Sequence, residues 1–142
     1  MTEFKTINPG EDISLCRNIR IAVFCDEQGY SQEEEFDLLD DISTHVLMHI
    51  DGVPVGTGRV YKEQDGRYKL GRIAVLQEYR GKNYGYAIVR QMIHIARKAG
   101  AKHFKISAQT YAQGFYEKLG FQKIGDEYLE GHVPHIAMEM PD

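Results

Sequence analysis

Residues 68–108 constrain the fold of this chain more than any other stretch. A β-type run, Tyr68–Leu76, is followed by an amphipathic helical pattern and then by a second β-type run, Lys102–Ala108. Within the helix Ile88, Val89, Met92, Ile93 and Ala96 recur on one face, and Gly100 stops it. Two strands joined through a helix run parallel, because the return crossover needs about a dozen residues or more. The chain must therefore build a sheet with at least one parallel pair inside it.

The flanking segments fill out that sheet. Thr44–Ile50 and Val53–Lys62 alternate as strands around Asp51-Gly52, a two-residue hairpin signal, and Gln64-Asp65-Gly66 turns into Tyr68–Leu76. Ahead of this meander a strand at Phe4–Ile7 meets Asn8-Pro9-Gly10-Glu11. Asn8 as cap, Pro9 as first helical residue and Glu11 as capping-box partner predict a helix to about Asp26, with Leu15, Ile19, Ala22 and Val23 on its buried face. After Lys102–Ala108 come a helix at Tyr111–Leu119, ended by Gly120, a strand at Phe121–Asp126 and a closing strand at His135–Met140. The order β-α-β-β-β-α-β-α-β-β predicts an α/β (α+β) domain with a mixed sheet of six to seven strands and helices on both faces. At 142 residues the chain fits one domain, 1–142, burying roughly 68–70% of its unfolded surface.

Seventeen Lys and Arg against 21 Asp and Glu leave a net charge of -4. That balance argues against nucleic acid and anionic lipid as partners, and any bound anion must be held by a local arrangement. Cys16 and Cys25 match neither a zinc site nor a disulfide framework, so no metal is expected. Met1–Lys5 lacks a signal-peptide shape and no run of about 18 apolar residues occurs, which predicts a cytoplasmic protein away from membranes.

Arg80, Gly81, Lys82, Asn83 and Gly85 lie between a strand end and a helix start. Glycine and asparagine tolerate left-handed dihedrals, so such a turn aims several N–H groups at one point. The helix start adds free N–H groups and a partial positive charge, which suits a pyrophosphate. A P-loop is excluded because no Gly-Lys-Ser/Thr end is present, and a dinucleotide fingerprint is poor because the segment follows a third strand. On spacing alone a plain strand–helix turn with solvated basic residues stays open beside the anion cradle.

Ser107-Ala108-Gln109 ends a strand, and Phe115-Tyr116-Glu117-Lys118-Leu119-Gly120-Phe121 follows. Together with Arg80–Gly85, in this order, the run resembles the acetyl-CoA-dependent GNAT N-acetyltransferase superfamily across nearly the whole chain. Arg20–Gln28, Glu35-Phe36-Asp37, Asp40, His45 and Gly131–Met138 resemble its ElaA/YjcF-like branch more narrowly.

The resemblance implies acetyl-CoA as co-substrate and an amine, on a small molecule or peptide, as acceptor. The backbone of Arg72, Ile73, Ala74 and Val75 would hold the pantetheine arm as an added strand. Its pyrophosphate would sit on Arg80, Gly81, Lys82, Asn83, Tyr84, Gly85 and Tyr86, although Tyr84 and Tyr86 have a second reading as cover for an adenine. Asn83 stands where the family usually has its first glycine, and asparagine is the next-best residue for a positive φ. Gln109 would hold the pantetheine or the acceptor, with an ordinary strand-end polar residue as its alternative, Phe115 would line the arm, and Tyr116 matches the tyrosine that gives a proton to the departing thiolate. The bland alternative for Tyr116 is a core aromatic.

An ammonium is not nucleophilic, so a base or ordered water is needed. Candidates are Glu27, His135, His45 and the pair Glu35/Asp37. The cluster Glu33-Glu34-Glu35, Asp37, Asp40, Asp41 reads either as a solvated loop or as an acidic mouth that attracts a cationic amine. Direct attack in a ternary complex is expected, with Cys25 the residue to watch for a covalent route. Two other functions stay open: a non-catalytic acyl-CoA-binding or sensor domain, and transfer of a longer acyl chain. The resemblance also implies pairing into a homodimer through the last strands or the sheet edge.

Overall fold

Residues 1–141 are described by the computed structural model. Its strands are β1 (Thr2–Ile7), β2 (Thr44–Ile50), β3 (Val53–Lys62), β4 (Tyr68–Val75), β5 (Phe104–Gln109), β6 (Gln122–Lys123), β7 (Tyr128–Glu130) and β8 (Val133–Met140). They share one mixed sheet in the order β1-β2-β3-β4-β5-β8-β6, with β7 also paired to β8. The sole parallel pair among them is β4–β5, the pair that the helical crossover demands. The sheet thus has eight strands where six to seven were expected. The run Phe121–Asp126 contributes only the two residues of β6 before the chain turns at Gly125-Asp126, and Tyr128–Glu130 then folds back as β7.

The helices are α1 (Ser14–Arg20), which runs directly into a π-helix at Ile21–Glu27, then α2 (Gln32–Glu35), α3 (Tyr84–Lys98) and α4 (Gln113–Lys118). Contrary to expectation, the first helix does not begin at Pro9. Gly10 takes a φ of +86°, and Asn8 and Glu11 close a turn in which the Asn8 N–H donates to Glu11 Oε1 at 2.7 Å. Helix starts only after Asp12 accepts the Ser14 N–H. Its buried stripe is accordingly Cys16, Ile19, Arg20 and Val23, while Leu15 stands exposed. That stripe contains an arginine, which a hydrophobic pattern passes over.

Two layers of side chains sandwich the sheet. On one face Ile88, Val89, Met92 and Ile93 of α3 pack on Val46, Met48, Leu70, Phe104, Ile136 and Met138. β3 admits α3 closely because Gly56 and Gly58 lack side chains. A Cβ at Gly56 would come within 2.6 Å of Ile88 Cδ1, and one at Gly58 within 2.7 Å of Met92 Cε. On the other face α1 closes over Ile7, Leu47 and Ala74 through Cys16, Ile19 and Val23.

β4 is where the sheet opens. Between the pairs Arg59↔Gly71 and Thr57↔Ala74 it carries one residue more than β3, so it bulges, and Arg72 takes a φ of +51°. β4 and β5 pair only over Tyr68–Leu70 and Phe104–Ile106. Beyond the bulge the two strands separate.

Candidate active site

A cleft of about 680 Å³ occupies that separation. Gly71–Val75 have no β5 partner, so one edge of β4 keeps N–H and C=O groups without a strand partner inside the sheet. Such an edge takes an amide-containing chain as an additional strand. The four residues expected to do so, Arg72, Ile73, Ala74 and Val75, all line the cleft.

At one end of the cleft the chain turns into α3. Gly81 and Asn83 have φ values of +82° and +62°, so Asn83 adopts the left-handed conformation expected of it. The first helical hydrogen bond is Ala87 N–H to the Asn83 carbonyl at 3.1 Å. The N–H groups of Tyr84, Gly85 and Tyr86 are thereby left to a ligand or to water. Lys82 is exposed beside them, Phe115 packs next to Gly85, and Tyr86 lies under the Arg90 guanidinium. Arg80 is committed further than its position suggested. Its Nε donates to the Val75 carbonyl at 2.9 Å, and its terminal nitrogens grip both oxygens of Glu27 at 2.8 and 2.9 Å. The Glu27 carboxylate, a candidate base, therefore faces Arg80 and is not among the residues that line the cleft. One N–H remains on each terminal nitrogen of Arg80 for a further acceptor.

Halfway along, Gln109 ends β5 and donates to Gln28 Oε1 at 2.7 Å, tying β5 to the end of the π-helix. The π-helix owes its wide turn to bonds such as Gln28 N–H to the Val23 carbonyl, and it presents Val23, Phe24 and Gln28 to the cleft. Tyr116 on α4 lines the cleft and is 8% exposed, with its ring edge-on to Phe115 at 5.0 Å. Burial, with Tyr111 adding to it, pushes the Tyr116 phenol far above its ordinary value, so it keeps its proton. His135, paired with Gln109 across β5 and β8, also lines the cleft and is 4% exposed. His45 does not reach the cleft; it is buried behind the acidic segment with Nε2 at 3.1 Å from the Asp40 carbonyl. Cys25 is not among the lining residues either, and burial together with the Glu35 charge raises its thiol.

The acidic segment divides between the two readings. Glu33, Glu34 and Asp41 are exposed, and Glu34 lines the cleft, but Glu35, Asp37 and Asp40 are locked to three arginines. Arg20, 1% exposed, donates to Glu35 at 2.7 Å and to Asp40 at 2.8 Å. Arg59 bridges Asp37 at 2.7 Å and Asp40 at 2.9 Å, and Arg72 reaches Glu35 at 3.0 Å. Among the described residues Arg59 Nε is the one buried side-chain polar atom left without a partner. Nothing in the local sequence marks these arginines as partners, because they come from α1, β3 and β4. The short α2 was legible, since Ser31-Gln32-Glu33-Glu34 carries the S-x-x-E capping box that the structure forms in both directions. Among the described residues no three His, Cys, Asp or Glu side chains converge as a metal site.

This network ties stability to pH. Burial opposes ionisation of Asp37 and Asp40, but the arginine hydrogen bonds more than offset it, and both carboxyls lie below their ordinary range. Their contribution is present above the unfolded value, about 3.9, and is lost as pH falls through the folded one. Burial pushes Glu35 upward instead, against Arg72 and Arg20, so its contribution runs in the opposite sense and fades as pH rises. With two aspartates against one glutamate, the thermal midpoint should hold level from pH 7 to about 5 and fall steeply below about 4. An Asp40→Asn protein with an unchanged acid limb would show that the network does not set it.

Residues 12–141 match the family model described as an acetyltransferase (GNAT) domain. YjcF of Bacillus subtilis (strain 168), an uncharacterized N-acetyltransferase, is 37% identical over 121 residues, covering 84% of this chain and 86% of its own. Escherichia coli ElaA superposes with a TM-score of 0.87 at 26% identity, over 98% of this chain and 99% of ElaA. An acyl-CoA N-acyltransferase from Pseudomonas aeruginosa has a TM-score of 0.88 at 22% identity, over 98% and 99% of the two chains, a likeness of fold alone. No helix among the described residues is long and apolar enough to cross a membrane.

Proposed function

The chain belongs to the GNAT acetyltransferase family, and from that premise we propose that it moves an acetyl group from acetyl-CoA to a primary amine by direct attack in a ternary complex. The observation that carries this reading is the edge of β4 without a strand partner, which shares one cleft with Arg80, just ahead of the turn into α3, and with Tyr116. The donor supplies an activated thioester carbonyl. Gly81–Tyr86 and Lys82 hold its phosphates, Arg80 keeps two N–H groups for the same purpose, and Glu27 orients Arg80. Gly71–Val75 bind the pantetheine amides, and the N–H groups near Ala74 and Val75 meet the charge that develops on the carbonyl oxygen.

His135 takes one proton from the acceptor ammonium. The nitrogen lone pair then forms the C–N bond as the C–S bond breaks, with its electron pair leaving on sulfur. Tyr116 gives its proton to that sulfur, and the second proton released by the nitrogen restores the phenol. No acetyl-enzyme forms, in keeping with the position of Cys25 outside the cleft.

Acetyl-CoA at 100 times its dissociation constant should stabilise the fold by about 2.7 kcal/mol, a rise of several degrees in the thermal midpoint that NADH does not reproduce. Thiol release on adding a panel of primary amines then measures turnover. A folded protein whose midpoint ignores acetyl-CoA would remove the donor from the reading and with it the reaction.

A further inference from the structure

β7 and β8 form a hairpin through Gly131 and His132, with Tyr128 opposite His135 and Glu130 opposite Val133. His135 Nδ1 lies 2.8 Å from the Val133 carbonyl. A carbonyl only accepts, so Nδ1 carries the hydrogen, and in the neutral ring Nε2 presents a bare lone pair. Opposite Nε2, at 3.4 Å, stands Glu130 Oε2, which is also an acceptor. Both groups line the cleft, and His135 is more than nine-tenths buried. With the ring neutral, a buried acceptor on His135 and a half-exposed one on Glu130 face each other without a donor, and an ammonium carries three N–H groups that complete them.

The charge around them has the matching sign. Arg20, Arg59 and Arg72 are all committed to Glu35, Asp37 and Asp40, whereas neither Glu34 nor Glu130 has a lysine or arginine partner among the described residues. Glu34 reaches over from α2, its Oε2 lying 3.1 Å from where a Cβ on Gly131 would stand. Tyr30 fixes the two walls, donating from its hydroxyl to the Glu130 carbonyl at 2.8 Å, and only glycine at 131 leaves room for its ring. Lys69, the remaining cation of the cleft without a carboxylate partner, sits on the paired start of β4.

We propose that Glu130 and His135 form the acceptor subsite, in which Glu130 binds the substrate as an alkylammonium ion and His135 Nε2 removes one of its protons. The proposal rests on the transferase reading above and narrows the acceptor to strongly basic, cationic alkylamines, with Glu34 adding attraction at the entrance. In the proton step one N–H bond of the ammonium breaks, its electron pair stays on nitrogen, and the proton binds Nε2.

The test uses n-butylamine as the cationic acceptor and β-alanine as its zwitterionic counterpart. Butylamine should be the better substrate. Glu130→Gln should raise its KM about tenfold to a hundredfold with a smaller effect on kcat and none on the KM of acetyl-CoA. His135→Gln should instead lower kcat about a hundredfold or more. Retention of the acetyl-CoA thermal shift checks that either variant is folded. Equal use of β-alanine, or a butylamine KM untouched by Glu130→Gln, overturns the proposal and leaves the transferase reading standing. If the wild type turns over no amine, the transferase reading fails, and the subsite is read by titrating butylamine against the side-chain nitrogen resonances of His135. Perturbation there, lost in Glu130→Gln, supports the subsite; its absence overturns it.

Discussion

Changing Tyr116 to phenylalanine should lower the rate of acetyl transfer by about 10²- to 10⁴-fold. The substitution removes one oxygen from a side chain whose packing comes from its ring, edge-on to Phe115 and to Phe121 at 6.0 Å, so the fold should hold. Burial keeps the phenol protonated at any working pH. Burial also makes the phenol a weaker acid, so under the proposed transfer it gives up its proton only as charge builds on the departing sulfur and the proton released by the nitrogen replaces it. The measurement is kcat by thiol release, paired with the acetyl-CoA thermal shift. A rate within threefold of wild type would return Tyr116 to the role of a core aromatic. A protein that only binds acyl-CoA would have no turnover to lose, so the same assay separates an enzyme from a sensor.

Replacing Arg20 with methionine should destabilise the protein by about 3–5 kcal/mol, although the residue lies apart from the proposed chemistry. Methionine fills most of the volume, so the loss reports charge and not a cavity. Glu35, 3% exposed, and Asp40 would each keep a buried carboxylate stripped of its strongest donor. For a chain of this length the thermal midpoint should drop by roughly 10–20 °C. Because Glu35 also holds Arg72, the residue at the β4 bulge, the acetyl-CoA shift should shrink as well. A fall of only a few degrees would mean that the network is redundant around Arg20.

Much of the architecture was legible because it is written in short-range periodicity. The hairpin at Asp51-Gly52, the amphipathic α3 and the parallel pair it forces each follow from alternation, turn chemistry or a run of apolar residues at helical spacing. The turn before α3 could be read for the same reason, since glycine and asparagine take the positive φ values seen at Gly81 and Asn83. Pro9 and Glu11 read as a helix start, yet Gly10 between them takes a conformation that ends any helix before it begins. The capping box at Ser31 and the glycine at 131 were equally local, and they mark α2 and the β7–β8 hairpin.

The amino-acid sequence by itself therefore determined the strands, the crossover helix that makes one pair parallel, and the positive-φ turn at the start of α3, because each depends on local periodicity or turn chemistry. Only the tertiary structure decided which charges meet. Arg20, Arg59 and Arg72 stand far from Glu35, Asp37 and Asp40 in the chain, and their pairing neutralised three carboxylates of an apparent acidic mouth. The same folding set Glu27 on Arg80, 53 residues away. Ion pairs and hydrogen bonds need partners within a few ångströms but set no rule for their separation along the chain, so they become visible only once the sheet has brought the distant segments together.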